Sequence, residues 1–123
     1  MSNSIIKEKS YKFALNVIKG TRKLPQNTES YIISKQLLRS VTSIGANIEE
    51  ALTGFTKDDF IYKMNLSLKE SAETNYWLRL IKDLNILDND IIEPLINESI
   101  EIRKILTSIV KTARENKKLS SAN

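Results

Sequence analysis

Apolar side chains recur every three or four residues along most of the chain, the spacing that places them on one face of an α-helix. The pattern predicts four helices, at about residues 5–19, 29–53, 57–84 and 90–117. No Asn-Gly or Asp-Gly turn lies between alternating apolar and polar positions, so the sequence predicts no β-hairpin. Short connections make successive helices antiparallel. We therefore expect one all-α domain over residues 1–123, an antiparallel up-down-up-down four-helix bundle.

Small polar residues and glycines near the predicted helix ends support these bounds. Asn27 or Thr28 is expected to cap the second helix, and Thr56 the third. Gly20 and Asn85 are expected to end the first and third helices in the left-handed conformation. The last four residues, 120–123, are expected to be disordered.

Composition narrows the chemistry that the chain can perform. The 123 residues include no cysteine and no histidine, which removes disulfides, thiolate nucleophiles, Ser-His-Asp triads and imidazole metal sites. We expect no enzymatic activity, no cofactor and no metal. No apolar run approaches the ~20 residues of a membrane span, and the first residues lack a signal-peptide core. We expect a cytoplasmic protein without membrane contact.

The net charge of +4 fits contact with nucleic acid or another acidic partner, or a surface that is simply rich in lysine. Antiparallel packing brings the start of the first helix beside the end of the fourth. Seven cations are therefore expected at one pole of the bundle: Lys7, Lys9, Lys12, Lys111, Arg114, Lys117 and Lys118. This basic pole is either a set of phosphate contacts or a solvated face.

The second and third helices each carry a feature beyond one apolar face. Polar residues of the second helix fall within about 80 degrees of one another: Gln36, Ser40, Ser43, Asn47 and Glu50. The third helix has apolar residues on two sides, because Trp77 and Ile81 lie away from its main apolar stripe. A helix with two apolar sides is typical of one that lies between partners, which favours a homo-oligomer. Trp77 and Tyr76 either stack on bases or pack internally, and packing is the commoner role.

Three carboxylates on these helices are candidates for acid–base chemistry: Glu50, Glu70 and Glu73. Paired carboxylates act in this way when their surroundings separate their pKa values. A salt-bridge network with Arg39, Lys69 and Arg79 is the simpler interpretation. We expect Arg39, Asn47, Glu70 and Glu73 to be architectural and to bridge the second and third helices.

Two blocks of the sequence resemble a known family. Residues 38–51, Leu-Arg-Ser-Val-Thr-Ser-Ile-Gly-Ala-Asn-Ile-Glu-Glu-Ala, resemble the signature of the 23S rRNA intervening sequence protein family, also called the four helix bundle or S23 family. A second block within residues 60–80 fits as well. The resemblance implies a small bacterial four-helix bundle without established enzymatic activity. It also implies a fold similar to the accessory protein of diversity-generating retroelements, and hence a pentameric ring.

Two functions remain open from the sequence. The first is a non-enzymatic oligomeric module that binds structured RNA or a ribonucleoprotein. The second is a scaffold that organises a partner protein without contacting nucleic acid. Because phosphate contacts release counterions, salt-dependent RNA binding would separate the two.

Overall fold

The computed structural model describes residues 2–122, and within this range the chain forms four α-helices and no strand. The helices are α1 (Ser2–Thr21), α2 (Thr28–Thr53), α3 (Lys57–Asp83) and α4 (Asn89–Ala122). Each helix packs against its neighbour in sequence, and α1 also packs against α4. This closed antiparallel arrangement confirms the predicted all-α four-helix bundle.

The core is built from the apolar stripes that the sequence pattern predicts. Phe13, Ile44, Leu78 and Leu106 come from the four different helices, and each has 0% of its surface exposed. Full burial of a side chain of this size contributes about 1.5–3 kcal/mol to the hydrophobic stabilisation. The helices are therefore held together mainly along one central axis of apolar side chains.

Most helix ends follow the local rules. The Asn27 side chain accepts a hydrogen bond from the Ser30 amide at 2.8 Å, and the Thr56 hydroxyl accepts one from the Asp59 amide at 3.0 Å. Both bonds satisfy first-turn amides that have no partner inside the helix. Asn85 has φ 56°, the left-handed conformation expected of it. Both predicted N-caps and the Asn85 stop are confirmed.

Two predicted helix ends are wrong. α1 continues through Gly20 to Thr21, and no described glycine has a positive φ. Gly20 instead allows close packing, since a Cβ there would lie 3.2 Å from Leu95 Cδ1 of α4. Residues 120–122, expected to be disordered, form the last turn of α4, while residue 123 lies outside the described range. Lys57 Nζ donates to Ser120 Oγ at 2.9 Å, which ties this turn to α3.

The α2–α3 interface contains buried hydroxyl groups among its apolar contacts. Ser67 donates to the Ile44 carbonyl oxygen at 2.8 Å, and the Thr74 and Ser40 hydroxyl oxygens lie 2.9 Å apart. All three hydroxyl-bearing side chains have 0% exposure. Because each is small, the two helix backbones approach closely. Along residues 2–122, no helix is both long and apolar enough to cross a membrane.

Candidate nucleic-acid interface

The two flanks of α4 carry opposite charges. On the flank that faces α1, Glu101 pairs with Lys9 at 2.6 Å and Glu98 accepts hydrogen bonds from Asn16 at 3.3 Å. The flank that faces α3 carries five exposed cations, which we call the cationic flank: Arg103, Lys104, Lys111, Arg114 and Lys118. At 100° per residue they occupy a sector of about 100°, and at 1.5 Å per residue they extend over about 22 Å.

The cations of the cationic flank outnumber the carboxylates on the same surface, where Glu115 lies beside the outer three cations. Among residues 2–122, ion pairs engage Lys9, Arg39, Lys63, Lys82 and Lys117. None of the five cations of the cationic flank belongs to an ion pair within this range, and neither does Arg79 on the adjacent surface of α3. Unpaired cations aligned along one surface create a positive potential that attracts polyanions.

The seven cations of the predicted basic pole are divided among different flanks. Lys9 pairs with Glu101, and Lys12 lies 60° from Lys9 on the same side of α1. Lys7 lies on the other side of α1, in line with residues of the groove between α1 and α2. Lys117 pairs with Asp58 of α3. Three of the seven lie on the cationic flank: Lys111, Arg114 and Lys118.

A groove between α3 and α4 continues the cationic flank toward the middle of the bundle. It encloses about 400 Å³, and its walls include two isoleucines and three cations. We call it the α3–α4 groove: Asn75, Arg79, Ile96, Ile100, Arg103 and Lys104. The sequence placed Arg79 in a salt-bridge network with the carboxylates of α3, but within residues 2–122 neither Arg79 nor Lys69 belongs to an ion pair. Arg103 and Lys104 were missed, because only cations near the helix ends were considered for contact with nucleic acid. The spacing of 103, 104, 111, 114 and 118 would have shown that these α4 cations share a face with the terminal ones.

The Arg79 guanidinium is held by a chain of hydrogen bonds that begins in the core. Arg79 Nε donates to Asn75 Oδ1 at 2.9 Å, and Asn75 Nδ2 donates to Ser99 Oγ at 2.8 Å. The Ser99 hydroxyl, 1% exposed, donates to the Ile96 carbonyl oxygen at 2.7 Å. These hydrogen bonds hold the guanidinium at its Nε, and within residues 2–122 its two terminal nitrogen atoms have no hydrogen-bond partner.

A second polar cluster joins α2 to α3. Arg39 Nη1 lies 3.2 Å from Glu70 Oε2, and Arg39 also pairs with Glu73. Arg39 Nε donates to Gln36 at 3.2 Å, and Trp77 Nε1 donates to Glu73 at 3.1 Å. The side chains of Arg39, Glu70 and Glu73 are 46%, 24% and 36% exposed. These are therefore partly solvated ion pairs that connect two helices.

The other residues of the predicted polar stripe have separate contacts. Asn47, expected to bridge α2 and α3, instead donates to the Ser43 carbonyl oxygen of its own helix at 2.9 Å. Ser43 donates to the Arg39 carbonyl oxygen at 2.8 Å. Glu50 reaches α3 by accepting a 2.8 Å hydrogen bond from Lys63, and this bond raises the pKa of Lys63. The stripe therefore has two further inter-helix contacts beyond the Arg39 cluster, namely Glu50 with Lys63 and Ser40 with Thr74.

The apolar side of α3 that suggested a partner is covered within the protomer. Trp77 is half-buried and packs against the core, and Ile81 is 1% exposed. Tyr76 meets Trp77 edge to face, with ring centroids 5.0 Å apart. No group of three metal-ligating side chains comes together anywhere in residues 2–122.

Comparison with known proteins decides the family. The model of the 23S rRNA-intervening sequence protein family matches residues 2–108. The chain belongs to this family. The chain is similar to a protein of unknown function from the S23 ribosomal protein family of Bacteroides thetaiotaomicron VPI-5482, whose crystal structure is known. The two sequences are 41% identical, and the match covers 90% of this chain and 99% of that one, with a TM-score of 0.83. No curated protein matches.

One part of the charged surface lies within the residues that the family model matches, and the other part lies beyond them. Arg79, Arg103 and Lys104 lie inside residues 2–108, whereas Lys111, Arg114 and Lys118 lie beyond them. The α3–α4 groove is therefore part of the family domain. The outer half of the cationic flank lies on the remainder of α4.

Proposed function

We propose that this protein is a cytoplasmic, non-enzymatic binding module that contacts structured RNA or a ribonucleoprotein through the cationic flank. The observation that carries the proposal is the alignment of five exposed cations, unpaired within residues 2–122, along about 22 Å of one helix surface. The family description names 23S rRNA. A ribosomal RNA is a polyanion of the kind that such a surface attracts.

The chemistry of the cationic flank favours phosphates over base edges. Lysine and arginine side chains on one exposed helix face reach backbone phosphates, which fix position and carry no sequence information directly. Each neutralised phosphate releases condensed counterions, and this release supplies much of the affinity. The module is therefore expected to be weakly selective for sequence and strongly sensitive to salt.

We include homo-oligomerisation in the proposal. Tyr11 is 61% exposed and Leu15 is 40% exposed, both on the side of α1 that borders the groove between α1 and α2. Apolar side chains exposed together are a common feature of surfaces that meet other protein chains. In an oligomer the cationic flank would be repeated, so that weak contacts from each protomer combine into a tighter multivalent one.

A salt titration of RNA binding tests the proposed function. If five or six cations contact phosphates, the affinity for an RNA hairpin should fall with salt at a log-log slope of about −4 to −5. The measurement is a filter-binding titration of the full chain at several salt concentrations. An absence of binding, or an affinity that does not change with salt, would contradict the proposal.

A protein-binding scaffold is the second candidate, and the groove between α1 and α2 favours it. This α1–α2 groove encloses about 240 Å³ and includes Tyr11, Leu15, Ile18, Gly45 and Ala46. The two small residues on α2 leave room for another helix to approach. Leu15→Glu would weaken a protein contact in this groove while leaving RNA binding to the opposite side of the bundle unchanged.

A further inference from the structure

The α3–α4 groove differs in chemistry from the rest of the cationic flank. Ile100 is 42% exposed, although it lies among cations on the surface of α4. Ile96 is half-buried beside it and packs on the core. Arg79, Arg103 and Lys104 surround these two isoleucines. A ligand that fills this groove must therefore present an anionic group next to an apolar one.

The Arg79 guanidinium is preorganised to bind an anion. Its Nε is engaged by Asn75, which is anchored through Ser99 to the backbone of α4. Within residues 2–122, no hydrogen bond engages its two terminal nitrogens. A guanidinium held in one orientation loses less conformational freedom when it binds, and its planar fork matches the oxygen atoms of a phosphate.

We propose that the α3–α4 groove binds an unpaired nucleotide of single-stranded RNA. Its phosphate contacts Arg79 and Arg103, and its base and ribose cover Ile96 and Ile100. This inference rests on the proposed function, since it names the part of an RNA that one segment of the cationic flank selects. Asn75 is a positioning residue, because it acts through Arg79.

Base pairing decides which RNA can use the apolar part of the groove. In a duplex the bases are stacked inside the helix, so a phosphate on Arg79 would leave Ile100 exposed to water. An unpaired nucleotide can turn its base away from the strand and lay it on a protein surface. The groove volume of about 400 Å³ also lies within the range of small-molecule sites, roughly 300–1,000 Å³.

Three substitutions in the full chain separate the apolar contact from general attraction to phosphates. Fluorescence anisotropy would compare a labelled oligouridylate with a blunt RNA duplex of the same length. Ile100→Ser, which leaves the charge unchanged, should weaken oligouridylate binding about three- to tenfold, from the apolar area no longer covered. Duplex affinity and both salt slopes should stay unchanged. Asn75→Ala, which releases Arg79, should weaken the binding of both RNAs, because a duplex phosphate can also contact Arg79.

Lys118→Gln, at the far end of the cationic flank, is the matched control. It should weaken the binding of both RNAs and make each salt slope shallower by about 0.7–0.9. Melting temperatures of all three variants would show whether the fold is intact. Because Ile100 is exposed, Ile100→Ser is expected to fold. It therefore tests the nucleotide site even if Asn75→Ala unfolds the protein.

The outcomes distinguish this inference from the proposed function. If both RNAs bind with salt dependence but Ile100→Ser affects neither, the nucleotide site is overturned and the proposed function stands. If neither RNA binds, both are overturned. If a polyglutamate peptide binds with the same dependence on Ile100, the groove recognises carboxylates of a protein, which also overturns the nucleotide site.

Discussion

The Ser67 hydroxyl on α3 donates a 2.8 Å hydrogen bond to the backbone carbonyl oxygen of Ile44 on α2, and both side chains have 0% exposure. The bond links the two helices at the middle of their interface. It requires a residue that is both small and able to donate. We therefore expect position 67 to be sensitive to size as well as to polarity.

Substitutions at Ser67 should separate these two requirements. Ser67→Ala should lower the free energy of unfolding by about 1 kcal/mol, the usual net value of one hydrogen bond. Ser67→Leu should cost about 1–3 kcal/mol more, because extra methylenes do not fit a close helix contact. Urea denaturation measures both. Ser108→Leu, at an exposed position of α4, is the control, and an equal loss there would show that the interface is not responsible.

Removing Glu73 should have a modest effect on stability. Glu73 accepts from both Arg39 and Trp77, but the ion pair is partly solvated. Glu73→Ala should therefore lower the free energy of unfolding by about 1 kcal/mol, below the 3–5 kcal/mol expected for a buried pair. Glu101→Ala removes the exposed partner of Lys9 and should cost less. If Glu73→Ala leaves stability unchanged but abolishes RNA binding, the architectural interpretation of Glu73 fails.

Two glycines should respond differently to alanine. A Cβ at Gly45 would lie 3.6 Å from Ser10 Oγ, an ordinary contact, and Gly45 is in the interior of α2. Gly45→Ala should raise the free energy of unfolding by about 0.5–1 kcal/mol, because alanine favours the helix. At Gly20 the new Cβ would lie 3.2 Å from Leu95 Cδ1. Gly20→Ala should therefore raise the free energy of unfolding by less than Gly45→Ala does, or lower it. A larger increase for Gly20→Ala would contradict the proposed close packing against Leu95.

The ion pair between Lys82 and Glu93 should make a small contribution to stability that depends on pH. The 2.8 Å contact joins the end of α3 to the start of α4, and the hydrogen bond raises the pKa of Lys82. A raised lysine pKa means that the contribution is complete below the unfolded value of about 10.4 and is lost as pH rises through the folded value. The difference in melting temperature between wild type and Lys82→Gln should therefore shrink above about pH 10.4. A difference that grows there would contradict the assignment.

The bundle itself could be predicted because its signals are local. The recurrence of apolar residues in α2 and α4 identifies the buried faces without knowledge of the neighbours. Asn27, Thr56 and Asn85 act within one turn of their own helices, so their roles could also be read from the sequence. The role of Gly20 could not be read from the sequence, since it depends on the distance between Gly20 and Leu95 in another helix.

The charged surface was harder to predict, because it depends on rotation about each helix axis. Counting cations near the helix ends grouped Lys9 with Lys118, although one faces Glu101 and the other lies on the cationic flank. The face shared by Arg103 and Lys118 is visible in the spacing of α4 alone. Which neighbouring helix borders that face, and hence the contribution of Arg79, required the packed structure.

The salt dependence of RNA binding by two matched four-fold variants tests the proposed RNA-binding function most directly. One variant replaces Arg103, Lys111, Arg114 and Lys118 of the cationic flank with glutamine. The other replaces Lys7, Lys12, Lys19 and Lys35, four exposed lysines elsewhere on the bundle, and has the same net charge. With an RNA hairpin, the first should make the log-log slope shallower by about 3, from four lost phosphate contacts, while the second should stay close to wild type. Equal changes in both variants, or no salt-dependent binding by wild type, would contradict the account.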